Sequence, residues 1–293
     1  MAPFALSTRL RFGLNAILKP IGLELVTTRT AEQETRRLKG LQERKHWNKA
    51  RYDQGLHIQA KEHLRLMERV CTPFRGDYSA LPKTSSSAQK EFFLENGWFG
   101  AVDAEVLYSI IRHYKPGHII EVGSGFTTLL MRKAIEDGNL KTKLTAIDPS
   151  PHTEVVSFVN EHVRLPVEDL DITSIIDSLR ENDILFIDSS HTVMTGGDVP
   201  YLYLEILPRL RKGVLIHVHD IFLPFDYPEK WILDQKGWTE QYLAHAFLCF
   251  NSSFEIIWPA RYMWEIHRNQ IETIIPSAGG EITPASLWLR KVE

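Results

Sequence analysis

From residue 103 onward the chain switches between two hydrophobic rhythms. Residues 103–114, DAEVLYSIIRHY, set Val106, Leu107, Ile110 and Ile111 on one helical stripe, with Asp103 placed to cap its start. Lys115-Pro116-Gly117 stops it. Short apolar runs then alternate with helical spacing. The pattern predicts strands over 118–122, 144–147, 163–167, 184–187 and 214–218. Between them it predicts helices over 126–136, 152–160, 172–179 and 201–210. Five strands separated by helices describe an α/β fold with a parallel, doubly wound sheet. The tail reads differently. A helix over 239–250 leads to a strand over 254–258, and a last strand covers 287–292. Two late strands joined by a long loop suggest an antiparallel edge pair.

Upstream the rhythm changes. Residues 31–70 are charged, with Arg36, Arg37, Lys39, Glu43, Arg44 and Lys45 at helical spacing, and read as solvent-facing helices. Residues 72–90 carry Pro73, Gly76, Pro82 and Ser85-Ser86-Ser87, a loop and a boundary. The expected division is an N-terminal helical extension and linker over 1–95 and a cofactor-binding domain over 96–293. Within the extension, Leu10–Leu25 mixes Arg11 and Lys19 with Phe12, Leu14, Ile17, Leu18, Ile21 and Leu23. Pro20 and Gly22 interrupt it, and it is too short to span a bilayer. It lacks the apolar core and cleavage site of a secretory signal. Two readings stay open: a short helix packed on the domain, or an interfacial helix touching a membrane or partner through residues 1–30. The expected location is cytoplasmic, with or without that peripheral contact.

Composition adds limits. With 43% hydrophobic and 24% charged residues, a full core is available and wholesale disorder is excluded. A formal charge of -3 argues against a dedicated nucleic-acid surface. Cys71 and Cys249 lack metal spacing and read as buried, reduced thiols. Asn251-Ser252-Ser253 matches a glycosylation sequon with no sign of secretion around it.

In an open α/β sheet, ligands bind beyond the carboxyl ends of the strands, so those ends carry the candidate chemistry. The first ends in Glu121-Val122-Gly123-Ser124-Gly125-Phe126-Thr127-Thr128. Gly123 and Gly125 allow a tight turn and close approach to a ligand, and the following helix aims free N–H groups at it. A dinucleotide site wants a third Gly at position 128, where Thr128 stands, so a ligand with a carboxylate and no phosphates fits better. The second strand ends in Asp148, about 20 residues on, the distance at which an acid reaches ribose hydroxyls. Glu168-Asp169, after the third, is a weak candidate for adenine. The fourth ends in Asp188-Ser189-Ser190-His191 and the fifth in His217-Val218-His219-Asp220. Adjacent strand ends bring Asp188, His191, His219 and Asp220 to one rim. Imidazoles there can act as general base, and two carboxylates with histidine can hold a divalent cation. His217, deeper in its strand, reads as structural. The segment Ile221–Pro228 with Trp231 either roofs a pocket or forms a satellite hydrophobic cluster.

At this point the residues resemble a known group. EVGSGFTT over 121–128, AIDP over 146–149, DILFIDSSH over 183–191 and GVLIHVHDIF over 213–222 are similar to the class I methyltransferases that use S-adenosylmethionine (SAM), and most to the bacterial branch called methyltransferase family 24. The resemblance covers the chain from about Asp103 to the end. It implies a Rossmann-like, seven-stranded sheet with antiparallel last strands. It implies that Glu121, Gly123, Ser124, Gly125 and Thr127 hold the amino-acid part of SAM, that Asp148 holds the ribose, and that Asp188 lies near the sulfonium. The rim is also similar to cation-dependent O-methyltransferases and cephalosporin-hydroxylase-like methyltransferases, with His219 in place of an acid. Asp188, His219 and Asp220 are thus the candidate ligands for Mg or another divalent cation.

The expected function is SAM-dependent methylation of a small-molecule or glycan hydroxyl, with His191 or His219 as base and Asp220 assisting. No Asn-Pro-Pro-Tyr sequence follows the fourth strand, which weighs against amide or adenine N-methylation. The alternatives are a non-catalytic SAM- or nucleotide-binding partner protein, an NAD(P)-linked oxidoreductase and a membrane-associated scaffold. The titratable rim speaks against the first, and Thr128 against the second.

Overall fold

The computed structural model describes residues 8–25, 28–85, 91–151, 155–234, 236–279 and 282–293. The chain divides into two compact units, Met1–Lys49 and Ala50–Glu293. The first contains the helices Thr8–Leu18 and Thr28–Glu43.

The second unit is built on one seven-stranded sheet in the order β3-β2-β1-β4-β5-β7-β6. Its strands are β1 (His118–Val122), β2 (Lys143–Ile147), β3 (Glu161–Val163), β4 (Ile184–Ile187), β5 (Leu215–Val218), β6 (Phe254–Pro259) and β7 (Leu287–Lys291). The first five are mutually parallel, and β7 runs antiparallel between β5 and β6. Both expectations for the sheet hold. β4 and β5 are buried at every position because helices cover both faces, so each reads as an unbroken apolar run. Alternation sends Ile119, Ile184, Phe186 and Leu215 to one core and Ile120, Leu185, Ile187 and Ile216 to the other. The first core is closed by the helices Asp103–Tyr114 and Phe126–Asp137. The helix Ala60–Cys71 packs on Asp103–Tyr114 and buries His63, Met67, Val70 and Cys71, so it is not wholly solvent-facing.

Several elements depart from the sequence pattern. The third strand ends at Val163 rather than beginning there, because Pro166 has no N–H to give a ladder. The expected helix over 152–160 is a 3-10 turn at Val155–Phe158, and residues 152–154 lie outside the described residues. Residues 201–210 belong to a longer rod in which Asp198–Tyr201 and Leu207–Arg209 are joined by a π-helical turn, Leu202–Ile206. The link between the last two strands is not a bare loop. It contains the helix Ala260–Ile274, laced by Arg261–Glu265 and Arg268–Glu272 pairs and burying Met263, Trp264, Ile271 and Ile274. Asp103 is the first helical residue rather than the cap. Its buried carboxylate accepts from the Ala285 and Ser286 amides, at 2.7 and 3.3 Å, tying that helix to the approach of β7. Cys71 is buried, with its thiol pushed up to about 12 by burial, whereas Cys249 is only half-buried.

Candidate functional site

The turn after β1 sits where the chain has no steric alternative to glycine. Gly123 has φ +91°, and a Cβ there would stand 2.4 Å from the carbonyl oxygen of Asp188, at the end of the neighbouring strand β4. The two strand ends can pass this closely only because position 123 has no side chain. At Gly125 a Cβ would meet nothing within 4 Å, so this backbone borders open space. The helix Phe126–Asp137 begins at the next residue, leaving its first-turn amides without intrahelical partners.

Beneath the turn, Glu121 is fully buried and accepts hydrogen bonds from the Thr127 and Thr128 hydroxyls at 2.5 and 2.6 Å. Thr128 also accepts from the Gly125 amide at 3.1 Å. Burial pushes Glu121 up to about 8, against the pull of the two hydroxyls. The residue standing in place of a third glycine is therefore a strut under the loop. Asp148, after β2, accepts from Ser124 Oγ at 2.5 Å and from the Ser150 amide at 2.8 Å.

A cavity of about 1080 Å³ opens beyond these strand ends. Ser124, Gly125, Phe126, Thr127, Leu129, Val155 and Phe158 line one part, and Asp188, Ser189, Ser190, His191, His219 and Asp220 another. Phe93, Trp98, Phe99 and Trp238 supply its aromatic wall. Glu121, Gly123, Asp148, Glu168 and Asp169 are not in the lining; Asp148 reaches it only through its hydrogen bond from Ser124. The segment after β5 takes the other of its two readings: Phe222, Tyr227 and Ala285 form a separate small core with Trp231, Ile232 and Trp238.

The rim expected from sequence comes together around one imidazole. His191 Nε2 lies 3.3 Å from Asp188 and 3.8 Å from Asp220, while Nδ1 is 2.8 Å from Glu240. The Glu240 side chain is fully buried, and it also accepts from Ser189 Oγ at 3.1 Å. The backbone reinforces the placement. His191 has φ 58°, and its carbonyl accepts from the Thr239 and Glu240 amides at the start of the helix Glu240–Leu248. Trp238 covers the ring, with centroids 4.2 Å apart. Burial opposes a charge on His191, but the hydrogen bonds to Asp188 and Glu240 outweigh it and raise the imidazole to about 10. His191 is thus an imidazolium at neutral pH, with both ring nitrogens given to carboxylates. Burial likewise opposes the charge on Asp188, yet His191 and His219 together hold it below the usual carboxylate range. Burial pushes Glu240 and Asp220 up.

His219 is different. It lies against Phe99, centroids 5.1 Å apart, with Nε2 3.6 Å from Asp220 and a buried Nδ1 that has no hydrogen-bond partner in the protein. Burial lowers its affinity for a proton, but Asp220, Asp188 and Asp103 raise it to a net value above 6.5. His217 is structural, as its depth suggested: it is fully buried, stacked on Phe186 at 3.9 Å, with Nε2 2.8 Å from Ser286 Oγ. Its buried ring is held well below the usual histidine range.

Asp188, His219 and Asp220 do not assemble as a cation cage. Among the described residues no three His, Cys, Asp or Glu side chains meet in a metal-holding arrangement. Asp188 and Asp220 both lie beside His191 Nε2 instead, at 3.3 and 3.8 Å. Sequence reasoning missed Glu240 and Trp238, which come from a different element some 50 residues downstream of the β4 loop. It also missed Phe93, Trp98 and Phe99. The sole local signal was an acid at the start of a predicted helix, which reads equally well as a helix-dipole partner.

Residues 120–221 match a family model described as a methyltransferase domain. A relative from Archaeoglobus fulgidus, described as an uncharacterized protein, is 30% identical over 140 residues, 44% of this chain and 61% of that protein. The match thus spans less than two thirds of the relative's length. Among solved structures, an SAH-bound methyltransferase of Podospora anserina aligns over 93% of this chain and 99% of its own, at 13% identity and a TM-score of 0.41. One described as cmcI-D160 Mg-SAM aligns over 74% and 84%, at 13% identity and a TM-score of 0.36. Cofactor-bound Rv0187 from MTB aligns over 75% and 87%, at 14% identity and a TM-score of 0.38. Likenesses at these values assign no residue a role.

Proposed function

We propose that this chain, whose residues 120–221 match a methyltransferase-domain model, transfers the methyl group of SAM to a hydroxyl of a small molecule or glycan. The observation that supports it is one cavity lined by the Ser124–Thr127 turn on one part and by Asp188, His191, His219 and Asp220 on another. The turn and the helix start behind it suit the SAM amino-acid group, and Asp148, already held by Ser124 and the Ser150 amide, suits its ribose. SAM supplies an electrophilic methyl on a sulfonium, and the rest of the catalytic work is alignment and proton removal.

Between the two candidate bases, the surroundings favour His219. His191 has both nitrogens committed to carboxylates and has no lone pair to offer. It serves as a fixed positive group that holds Asp188 and Asp220 in place. His219 Nδ1 has no partner but is sealed from solvent, so an acceptor hydroxyl must enter beside it to give up its proton, and Asp220 lies next to Nε2 to steady the imidazolium that results. Phe93, Trp98, Phe99 and Trp238 offer flat apolar faces for a planar acceptor or the carbon face of a sugar ring. No step is assigned to a metal ion, because among the described residues no three His, Cys, Asp or Glu side chains meet in a metal-holding arrangement.

The test is His219→Ala, assayed with SAM and a panel of phenolic and glycan acceptors, alongside calorimetry with S-adenosylhomocysteine. Turnover should fall about 10²- to 10⁴-fold, the usual worth of a general base, with cofactor affinity within a few-fold. Turnover of the parent should survive EDTA. Loss of cofactor binding in His219→Ala would make the residue structural, and EDTA-sensitive turnover restored by Mg²⁺ would overturn the metal-free reading.

A further inference from the structure

The stretch over residues 8–25 turns apolar side chains outward. The helix Thr8–Leu18 runs into the turn Lys19–Ile21, where Gly22 at φ 77° reverses the chain. Leu10, Leu14, Ile17 and Ile21 recur at helical spacing, and they are 57%, 36%, 72% and 68% exposed. Phe12, Leu23 and Leu25 are exposed as well. Among the described residues of this stretch the buried side chain is a polar one, with Leu18 half-buried. Asn15 donates through Nδ2 to the Leu25 carbonyl at 3.0 Å and accepts from the Leu25 amide at 2.7 Å, pinning the returning strand of chain beside the helix. In a water-soluble hairpin the apolar side chains lie inside and the amide outside. Here a side-chain clamp holds the hairpin together, and Leu14, Ile17, Ile21, Leu23 and Leu25 are exposed.

Charge indicates what covers them. Residues 8–25 carry Arg9, Arg11 and Lys19 against the single acid Glu24, in a chain whose formal charge is -3. No helix among the described residues is long and apolar enough to cross a membrane. A short basic, amphipathic helix with exposed Leu, Ile and Phe has the composition of an element that lies in the headgroup layer, its apolar side chains among the acyl chains and its cations at phosphate. We infer that residues 8–25 are a surface anchor that docks this protein on anionic phospholipid. The proposal is independent of the reading of the catalytic cavity.

The full-length protein should co-sediment with vesicles of phosphatidylglycerol and phosphatidylcholine and much less with phosphatidylcholine alone. Binding should weaken as salt rises. The double variant Leu14→Glu, Ile17→Glu should lower the partition coefficient at least roughly tenfold, and Lys19→Glu should lower it only on the anionic vesicles. Both should keep the parent's melting temperature for the sheet-bearing unit, which serves as the folding check. Failure of the parent to bind anionic vesicles at low salt overturns the inference. So does a stable dimer in solution that Ile17→Glu converts to monomer, since the apolar face would then belong to a second copy.

Discussion

Replacing Glu240 with Gln removes a charge from the middle of the molecule without removing its shape. The Glu240–His191 contact is 2.8 Å long, and its side chains are 0% and 7% exposed, so solvent screens it little. A hydrogen bond to a charged group under such conditions contributes about 1.5–3 kcal/mol. One pKa unit corresponds to about 1.4 kcal/mol, so the variant's His191 should titrate roughly one to two units below the parent's value of about 10. The sign of the stability effect follows. His191 binds its proton more tightly folded than unfolded, so the contribution is complete below pH 6.5 and disappears as pH rises through 10. Glu240→Gln should therefore lower Tm by roughly 5–10 °C near pH 6.5, with the gap closing towards pH 10. Histidine NMR across pH 5–11 reads the titration, and thermal melts in the same buffers read the stability. Cofactor affinity should change little, because Glu240 does not line the cavity. A parent His191 that titrates at or below 6.5, or a Tm gap that stays constant with pH, would refute the reasoning.

Other substitutions probe the cofactor side. Gly123→Ala forces a Cβ to 2.4 Å from the Asp188 carbonyl in a left-handed conformation, and denaturant unfolding should show a loss of about 3 kcal/mol or more. Glu121, raised by burial from 4.5 to about 8, binds its proton more tightly in the folded state, so it makes stability decline as pH rises from 4.5 to 8. Urea melts of Glu121→Gln at pH 5 and pH 8 should show a smaller decline than the parent, and an unchanged decline would locate the charge effect elsewhere. Asp148→Ala should weaken S-adenosylhomocysteine binding by about 10- to 100-fold in calorimetry, the worth of one or two charged hydrogen bonds, and indifference would remove Asp148 from the ribose site.

The strands were legible because parallel strands covered on both faces need unbroken apolar runs, and ILFI over 184–187 and HII over 118–120 have no other economical use. The helix Ala260–Ile274 was less so. Its apolar residues are spread thinly among charges, and its stability comes from Arg–Glu pairs and from packing on elements distant in sequence. The rim could be placed from sequence because β4 and β5 are neighbours and their ends must meet. Which member is a base could not, since that depends on what faces each ring.

The sequence by itself determined the glycine turn, the adjacent fourth and fifth strand ends that set Asp188 beside Asp220, and the mixture of apolar and basic residues over 10–25, because spacing and residue type are local properties. The tertiary structure decided what those residues can do. It brought Glu240 up against His191 and fixed that ring as a cation, left His219 with a nitrogen uncommitted, and turned Thr128 into a strut for Glu121. Proton affinity is set by burial and by charges within a few ångströms, and those neighbours come from parts of the chain that only the fold brings together.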